Sequence, residues 1–226
     1  MLKSTERTLI IGSNGTIGSA LADHVSDRTH LFTLSRDNTD YSDSSLAMHS
    51  AQLSQEGMFR YVICCIGALH NERIMPEKSL KQLSRDTLQE YFLINSILPA
   101  LCLKHFSSLL DKDKSSTFIV LSAMVGSISD NKLGGWYGYR SSKAALNMLV
   151  KTASIEVARS NKMAALAVVH PGTTQGALSK PFSSGVSKDK YYSAAESAAR
   201  IWSLIHSIEA EQSGQFFNWD GTTLAW

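Results

Sequence analysis

Thr8-Leu-Ile-Ile-Gly12-Ser-Asn-Gly15-Thr-Ile-Gly18 joins a short apolar run to the start of a helical pattern at residues 16–25. Glycines at such a junction let the backbone turn tightly and approach a pyrophosphate, and the helix start offers free N–H groups. The order of strand, glycine turn and helix is the context that a dinucleotide-binding turn requires. A turn with a helix cap is the structural alternative. The predicted cofactor contacts here are Gly12, Ser13, Asn14, Gly15, Thr16, Ile17 and Gly18.

Apolar runs of strand length recur along the rest of the chain and alternate with helical patterns. The runs are almost continuously apolar, which is typical of parallel strands that are buried on both faces. The alternation predicts an α/β fold: one Rossmann-like domain over residues 1–226, with a doubly wound parallel sheet and helices on both faces. The predicted strands are 8–11, 30–34, 61–66, 117–121, 164–169 and 215–219, and the predicted helices are 16–25, 83–110, 139–158 and 194–208.

The composition excludes several classes of function. A net charge of +2 gives no electrostatic reason to expect a nucleic-acid or anionic-membrane partner. The N-terminal apolar run is too short for a signal peptide, and no run of about 18 apolar residues suggests a membrane span. Cys64, Cys65 and Cys102 show neither a disulfide framework nor metal-ligand spacing. We therefore expect a cytoplasmic protein without a metal site.

The segment Tyr137-Gly-Tyr139-Arg-Ser-Ser-Lys143 carries the strongest chemical signal. Residues four apart lie on one face of a helix, so Tyr139 and Lys143 project together. A phenol with a pKa of about 10 is a poor acid or base near neutrality, and a neighbouring ammonium lowers that pKa. The pair therefore predicts Tyr139 as the general acid and base at a carbonyl or alcohol oxygen, with Lys143 lowering its pKa. A Tyr–Lys pair that packs on a surface helix is the structural alternative.

The run at residues 30–34 ends at Ser35 and Arg36, which we assign to the cofactor site. A carboxylate at this position would bind the ribose hydroxyls of NAD, whereas a guanidinium suits the 2′-phosphate of NADP. Asp37 follows directly, so a carboxylate is not wholly absent. We predict NADP (NADPH) in preference to NAD. A solvated surface charge is the alternative for Arg36.

Tyr-x-x-x-Lys followed by small residues, together with the N-terminal glycine turn, resembles the short-chain dehydrogenase/reductase family. The resemblance extends from Thr8 to Gly221, and residues 126–143 are most similar to carbonyl-reductase-like members of the C-factor and sniffer type. It implies an NAD(P)-dependent oxidoreductase that transfers hydride between the nicotinamide and a small-molecule carbonyl or secondary alcohol. It also implies a homodimer or homotetramer, and a mobile substrate loop at residues 177–192. Trp136 and Met124 are further candidates for the substrate side.

The resemblance also assigns Asn95, where the family holds a water that relays protons. The residues support this independently, because Pro99 has no N–H and the carbonyl of Asn95 then lacks its helical partner. A freed carbonyl in a buried helix needs a substitute, such as an ordered water. An asparagine at a proline kink without a chemical role is the alternative.

The remaining assignments also depend on the resemblance. Aligned on Gly126, the position of the family's active serine is occupied by Ala123, so we predict Ser122 as the hydroxyl that polarises the substrate, with Ser127 as the second choice. Ile66 and Gly67, and the turn Pro171-Gly172-Thr173-Thr174, complete the predicted cofactor site. Residues 37–60 are short for two crossovers and a further strand, which predicts a reduced adenine side with a small helix or none.

Two other functions remain open. A regulatory protein that binds NADP on the same fold, with weak or lost catalysis, is favoured by Ala123, by Gly176 in place of a threonine, and by Cys64-Cys65 in place of an asparagine pair. An epimerase-like protein is suggested by the glycine spacing, but such relatives carry a sizeable C-terminal substrate domain for which this chain is too short. The intact Tyr139 and Lys143 favour the oxidoreductase.

Overall fold

Six parallel strands form one central sheet in the order β2-β1-β3-β4-β5-β8. The computed structural model describes residues 5–185, 187 and 191–226. The strands are β1 (Arg7–Ile11), β2 (His30–Leu34), β3 (Tyr61–Cys64), β4 (Ser116–Leu121), β5 (Ala164–His170) and β8 (Phe216–Asn218), while β6 (Thr173–Thr174) and β7 (Tyr191–Tyr192) make a separate parallel pair. Every predicted strand is present, and the predicted doubly wound α/β fold is confirmed.

Helices cover both faces of the sheet. They are α1 (Thr16–Val25), α2 (Asp43–Ser54), α3 (Arg85–Phe92), α4 (Leu98–Phe106), α5 (Tyr137–Ser160) and α6 (Ala194–Ser207). Residues of α1 and α6 pack with one face of the strands, and residues of α2, α4 and α5 pack with the other. Successive strand residues alternate between these two apolar clusters, as they must in a sheet that is buried on both sides.

The edge of the sheet beside β2 is reduced, as predicted. Strand β2 is the outermost strand of the described sheet, and a single connection with one helix, α2, leads from it to β3. This helix has 12 residues, and the Ser42 hydroxyl caps it by accepting a hydrogen bond from the backbone N–H of Ser45. The extra strand is therefore missing, but the helix that we expected to be small or absent is a regular one.

The predicted helix at 83–110 is a composite of three segments. Ser84 caps its start, and a π-helical turn, Leu93–Ile97, separates α3 from α4. In this turn the backbone N–H of Leu98 donates to the carbonyl of Leu93, five residues earlier. Because Pro99 cannot donate to the carbonyl of Asn95, the α-helical ladder is already broken at this point, and the wider turn accommodates the break.

One continuous helical stretch, Arg85–Leu109, is long and apolar enough by composition to cross a membrane. Within it Tyr91, Asn95 and Phe106 are fully buried inside the fold. The central part of the stretch also packs along α5. Such contacts are typical of the core helix of a globular domain. A core helix of this kind also meets the length and composition criterion for a membrane span.

Candidate active site

The glycine turn has the geometry of an anion cradle. Gly12 has a positive φ of 81°, and its N–H donates to the carbonyl of Leu34 at 2.8 Å. A Cβ at Gly18 would overlap the Gly12 carbonyl oxygen. Only glycine therefore lets the start of α1 pack this closely against the turn. Gly15 is the N-cap residue of α1 and has no side chain to cap the helix. The first turn of α1 also contains no acidic residue. The free N–H groups at this helix start therefore suit a phosphate.

The end of β2 lies beside this turn. Asn14 donates from its amide nitrogen to the carboxylate of Asp37, and the hydroxyl of Ser35 accepts from the backbone N–H of Asp37. The first bond engages the Asp37 carboxylate, and the second fixes the backbone of Asp37. Arg36 is exposed, and within the described chain no carboxylate lies at ion-pair distance from it. Its guanidinium is thus available to an added anionic group.

Tyr139 and Lys143 lie one turn apart near the start of α5, and both are buried, with 8% and 3% of their surfaces exposed. The ammonium of Lys143 donates to the carbonyl of Leu121 at 3.0 Å, at the carboxyl end of β4. A Cβ at Gly67 would lie 3.0 Å from this ammonium nitrogen, so the loop after β3 passes directly over the lysine. The predicted Tyr–Lys pair therefore occupies the carboxyl edge of the sheet, where ligands bind in open α/β folds.

The sequence predicted that Lys143 lowers the pKa of Tyr139, but burial has the larger effect in the structure, and the net shift is upward. Burial raises the pKa of Tyr139 well above its usual value. The same desolvation lowers the pKa of Lys143 to about 8. The physical reason for the difference is that the phenol is enclosed in an apolar cluster while the ammonium is committed to the carbonyl of Leu121. Tyr139 is consequently fully protonated near neutral pH.

Lys143→Met is expected to remove a pH dependence of stability. Because the pKa of Lys143 is about 8 in the folded chain and 10.5 in the unfolded one, the unfolded chain binds more protons between these values. The free energy of unfolding therefore rises with pH there, by about 2 kcal/mol between roughly pH 7 and pH 9.5. Urea unfolding of both proteins at the two pH values measures this rise. An equal rise in the methionine variant would contradict the assignment.

Asn95 is fully buried and clamps the loop that follows β3. Its Oδ1 accepts from the N–H of Ala68 at 2.8 Å, and its Nδ2 donates to the carbonyl of the same residue at 2.9 Å. The Nδ2 also donates to the hydroxyl of Ser142 on α5 at 3.2 Å. Asn95 thus joins the π-helical turn, the Gly67–Ala68 backbone and the helix of the Tyr–Lys pair. The relay water predicted at Asn95 stays a prediction.

The structure gives the predicted Ser122 hydroxyl a partner on α5 other than Tyr139. The hydroxyl of Ser122 donates to Oδ1 of Asn147 on α5 at 2.8 Å, and it is buried there. Ala123, by contrast, packs against the cluster that contains Tyr139. The hydroxyl of Ser127, our second choice, lies close to Ser129 and accepts from a backbone N–H. Ala123 therefore presents a methyl group, and no hydroxyl, to the cluster that contains Tyr139.

The turn at Pro171–Thr174 closes the site from the side of α1. Thr173 and Thr174 form β6 and pair with β7. This pairing joins the C-terminal end of the predicted substrate loop 177–192 to the turn. A Cβ at Gly176 would lie 2.7 Å from the hydroxyl oxygen of Thr16 in the glycine turn. Close approach to the cofactor turn thus accounts for glycine at a position where the resemblance suggested threonine. Ile66 follows β3 and faces Gly12, at which a Cβ would lie 3.2 Å from the Ile66 nitrogen.

Aromatic rings form the far wall of the site. Trp136 meets Tyr139 edge-on at 6.2 Å between ring centroids, and Phe182 meets Trp136 at 5.2 Å. His70 lies against Phe182, and its Nε2 is 3.1 Å from the carbonyl of Ala177. Phe182 lies in a 3-10 helix, Lys180–Gly185, within the predicted loop 177–192. Residues 186 and 188–190 of that loop lie outside the described residues. The substrate role predicted for Trp136 stays a prediction; Phe182 lies within the predicted loop but was not singled out, and no sequence pattern indicated His70.

One further residue of the site was missed from the sequence. Glu77 is buried beside Tyr91 and the start of α5, and its Oε2 accepts from the N–H of Gly138 at 3.0 Å. A single glutamate in a polar loop gives no pattern that would distinguish it from a surface charge. Among the described residues, no group of three or more His, Cys, Asp or Glu side chains is arranged to hold a metal ion.

Comparison with known proteins agrees with this geometry. A family model described as short chain dehydrogenase matches residues 9–186. A 1-hydroxy-2-glutathionyl-2-methyl-3-butene dehydrogenase of Rhodococcus sp. is 27% identical over 185 residues, which span 82% of this chain and 76% of the relative. The C-signal protein of Myxococcus xanthus is 33% identical over 106 residues, 47% of this chain and 58% of the relative.

Two solved structures have the same fold. The NADPH-bound carbonyl reductase from chicken fatty liver superposes with a TM-score of 0.81 at 20% identity, covering 100% of this chain and 96% of that one. The carbonyl reductase Sniffer of D. melanogaster superposes with a TM-score of 0.82 at 19% identity, covering 99% and 100%. At these identities the likeness shows the fold.

Proposed function

Because this chain belongs to the short chain dehydrogenase family of oxidoreductases, we propose that it reduces a small-molecule carbonyl with NADPH, or oxidises the corresponding secondary alcohol. The observation that carries the proposal is the burial of Tyr139 and Lys143 side by side at the carboxyl edge of the sheet, next to the glycine turn of Gly12 and Gly18. NADP is the cofactor that the exposed guanidinium of Arg36 favours.

The glycine turn and the uncapped start of α1 would hold the pyrophosphate, and Gly67 would let the ribose approach Lys143. When bound, the cofactor would supply or accept the hydride. Tyr139, protonated near neutral pH, would donate its proton to the carbonyl oxygen of the substrate. The ammonium of Lys143 would offset the negative charge that the phenol then acquires, at short range and in a water-poor site. The aromatic wall of Trp136 and Phe182 would exclude water.

Turnover of NADPH with a panel of aldehydes and ketones tests the proposal. We expect carbonyl-dependent oxidation of NADPH, followed by absorbance, together with formation of the alcohol product. The second candidate, an NADP-binding regulator, is favoured by one observation: Ala123 packs against the apolar cluster that contains Tyr139, and the Ser122 hydroxyl, which we predicted to polarise the substrate, is bonded to Asn147. Tight NADPH binding without turnover on any substrate of the panel would favour the regulator.

Self-association through the helical stretch Arg85–Leu109 and α5 is the expected assembly. Leu93 and Ile97 are exposed one turn apart on one helical stretch, and Met148 and Ile155 are exposed two turns apart on α5, which packs beside it. Exposed apolar side chains on neighbouring helices favour burial against a second copy. Light scattering should give at least twice the chain mass of 24.8 kDa. The mass of a single chain would contradict this.

A further inference from the structure

The start of α5 has no cap of its own. Its first residue follows Trp136, which adopts a left-handed conformation with φ of 51° and provides no side-chain hydrogen bond to the helix. The first turn also contains no acidic residue. The first N–H groups of any helix lack intrahelical partners, and the positive end of the dipole favours a negative charge there. The helix that carries Tyr139 and Lys143 therefore depends on another segment for its cap.

Glu77 supplies that cap from a position 61 residues earlier in the chain. Its backbone carbonyl accepts from the N–H of Trp136 at 2.5 Å, and its Oε2 accepts from the N–H of Gly138 at 3.0 Å. The residue is 3% exposed, and within the described chain its other oxygen, Oε1, has no hydrogen-bond partner. A buried carboxylate is costly unless it is compensated. Here the helix start provides the compensation.

The residue that Glu77 binds is the immediate neighbour of Tyr139. A Cβ at Gly138 would overlap the ring of Tyr91 and would lie 2.9 Å from Oε1 of Glu77, so this backbone is held between two side chains. Tyr91 is itself tied to the loop after β3, because its hydroxyl donates to the carbonyl of Leu69 at 2.7 Å. Its ring packs near that of Tyr139, with 6.2 Å between centroids.

We propose that Glu77 is a positioning residue for catalysis: its carboxylate holds the first turn of α5 and thereby sets where the Tyr139 hydroxyl points. This inference rests on the proposed function, because it concerns the proton donor of that reaction. The negative charge of Glu77 contributes to the stability of the helix start, whereas the position of the first turn depends on the reach of the acceptor to the Gly138 N–H. An uncharged acceptor of the same length should therefore serve for catalysis. A carboxylate that is one methylene shorter should not serve.

Three variants separate reach from charge. Glu77→Gln keeps an acceptor oxygen at the same side-chain length and removes the charge. Glu77→Asp keeps the charge but shortens the side chain by one methylene. Glu72→Asp is the control, because it makes the same shortening at an exposed site on the same loop. Loss of a hydrogen bond to a charged acceptor corresponds to a factor of about ten or more. We therefore expect Glu77→Asp to lower kcat about tenfold, while KM for the carbonyl and Kd for NADPH stay within about twofold.

Hydrogen exchange provides a readout that does not require turnover. The amides of residues 138–141 should exchange about tenfold faster in Glu77→Asp and at the wild-type rate in Glu77→Gln and Glu72→Asp. Glu77→Gln should also retain the wild-type kcat. Unchanged kcat and exchange in Glu77→Asp would overturn the inference, as would a fall in NADPH affinity parallel to the fall in kcat. If Glu77→Asp does not fold, a tenfold lower kcat in Glu77→Gln would overturn it as well.

Failure of the proposed function gives a different result. In that case the wild-type protein shows no turnover on the carbonyl panel, and kcat is undefined for every variant. The exchange rates then decide whether Glu77 holds the first turn of α5: faster exchange in Glu77→Asp only would support this part of the inference, and equal rates in all four proteins would overturn it.

Discussion

Tyr139→Phe is expected to lower kcat for carbonyl reduction about a thousandfold and to leave the Kd for NADPH within about twofold. The change removes one oxygen from a buried ring, so the fold and the apolar cluster around the ring are kept. It removes the only proton donor that the account places at the substrate oxygen, and proton transfer by a positioned side chain contributes about 10²–10⁴-fold. Steady-state kinetics with NADPH, together with tryptophan quenching for Kd, measures both effects.

Tyr137→Phe is the matched control for this prediction. Tyr137 stands two residues earlier on α5, it is only partly buried, and the residue four positions later is Ser141 instead of a lysine. The control should retain kcat within about twofold, as is usual for a substitution away from the site. A Tyr139→Phe enzyme that keeps more than a tenth of the wild-type kcat would show that another group donates the proton.

Arg36→Ala is expected to raise Kd for NADPH about tenfold to a hundredfold and to leave Kd for NADH almost unchanged. A charge-assisted hydrogen bond of guanidinium to phosphate corresponds to roughly 1.5–3 kcal/mol, and only NADPH carries the 2′-phosphate. Asp37 is present in both proteins, so the variant gains no new carboxylate for the ribose of NADH. Titration of both cofactors by tryptophan quenching gives the two affinities.

Arg159→Ala provides the control for charge alone. Arg159 is exposed in the last turn of α5, at the opposite end of the helix from Tyr139. Its loss removes the same positive charge from the chain without touching the cofactor turn, so both dissociation constants should stay unchanged. Equal affinities for NADPH and NADH in the wild-type protein would refute the cofactor assignment before any variant is made.

The strands were predictable because each is a continuous apolar run, and a parallel sheet that is buried on both faces demands such runs. The predicted strand 61–66 ends early, at Cys64, and the backbone of Cys65 and Ile66 then passes within 3.2 Å of where a Cβ at Gly12 would lie. This contact is between residues that are distant in the sequence, so a local sequence pattern could not predict it. The helical defect at Asn95 was predictable from Pro99 alone, but its form as a π-helical turn was not.

The site was predictable where it depends on local spacing. Tyr139 and Lys143 share a helix face by their separation, and the glycine turn is contiguous in sequence. The direction of the Tyr139 pKa was not predictable, because it depends on an enclosing cluster whose members are distant in the chain. The orientation of Ser122 depends on Asn147, and the role of Glu77 depends on a contact across 61 residues. Such long-range contacts are visible only in the folded chain.

A crystal structure of the ternary complex with NADP and an alcohol or ketone would show whether Tyr139 is the proton donor beside the nicotinamide. We expect the Tyr139 hydroxyl within hydrogen-bond distance of the substrate oxygen, and the substrate carbon about 3–3.5 Å from the reactive carbon of the nicotinamide. A nicotinamide bound away from α5, or a Tyr139 hydroxyl turned from the substrate, would contradict the account.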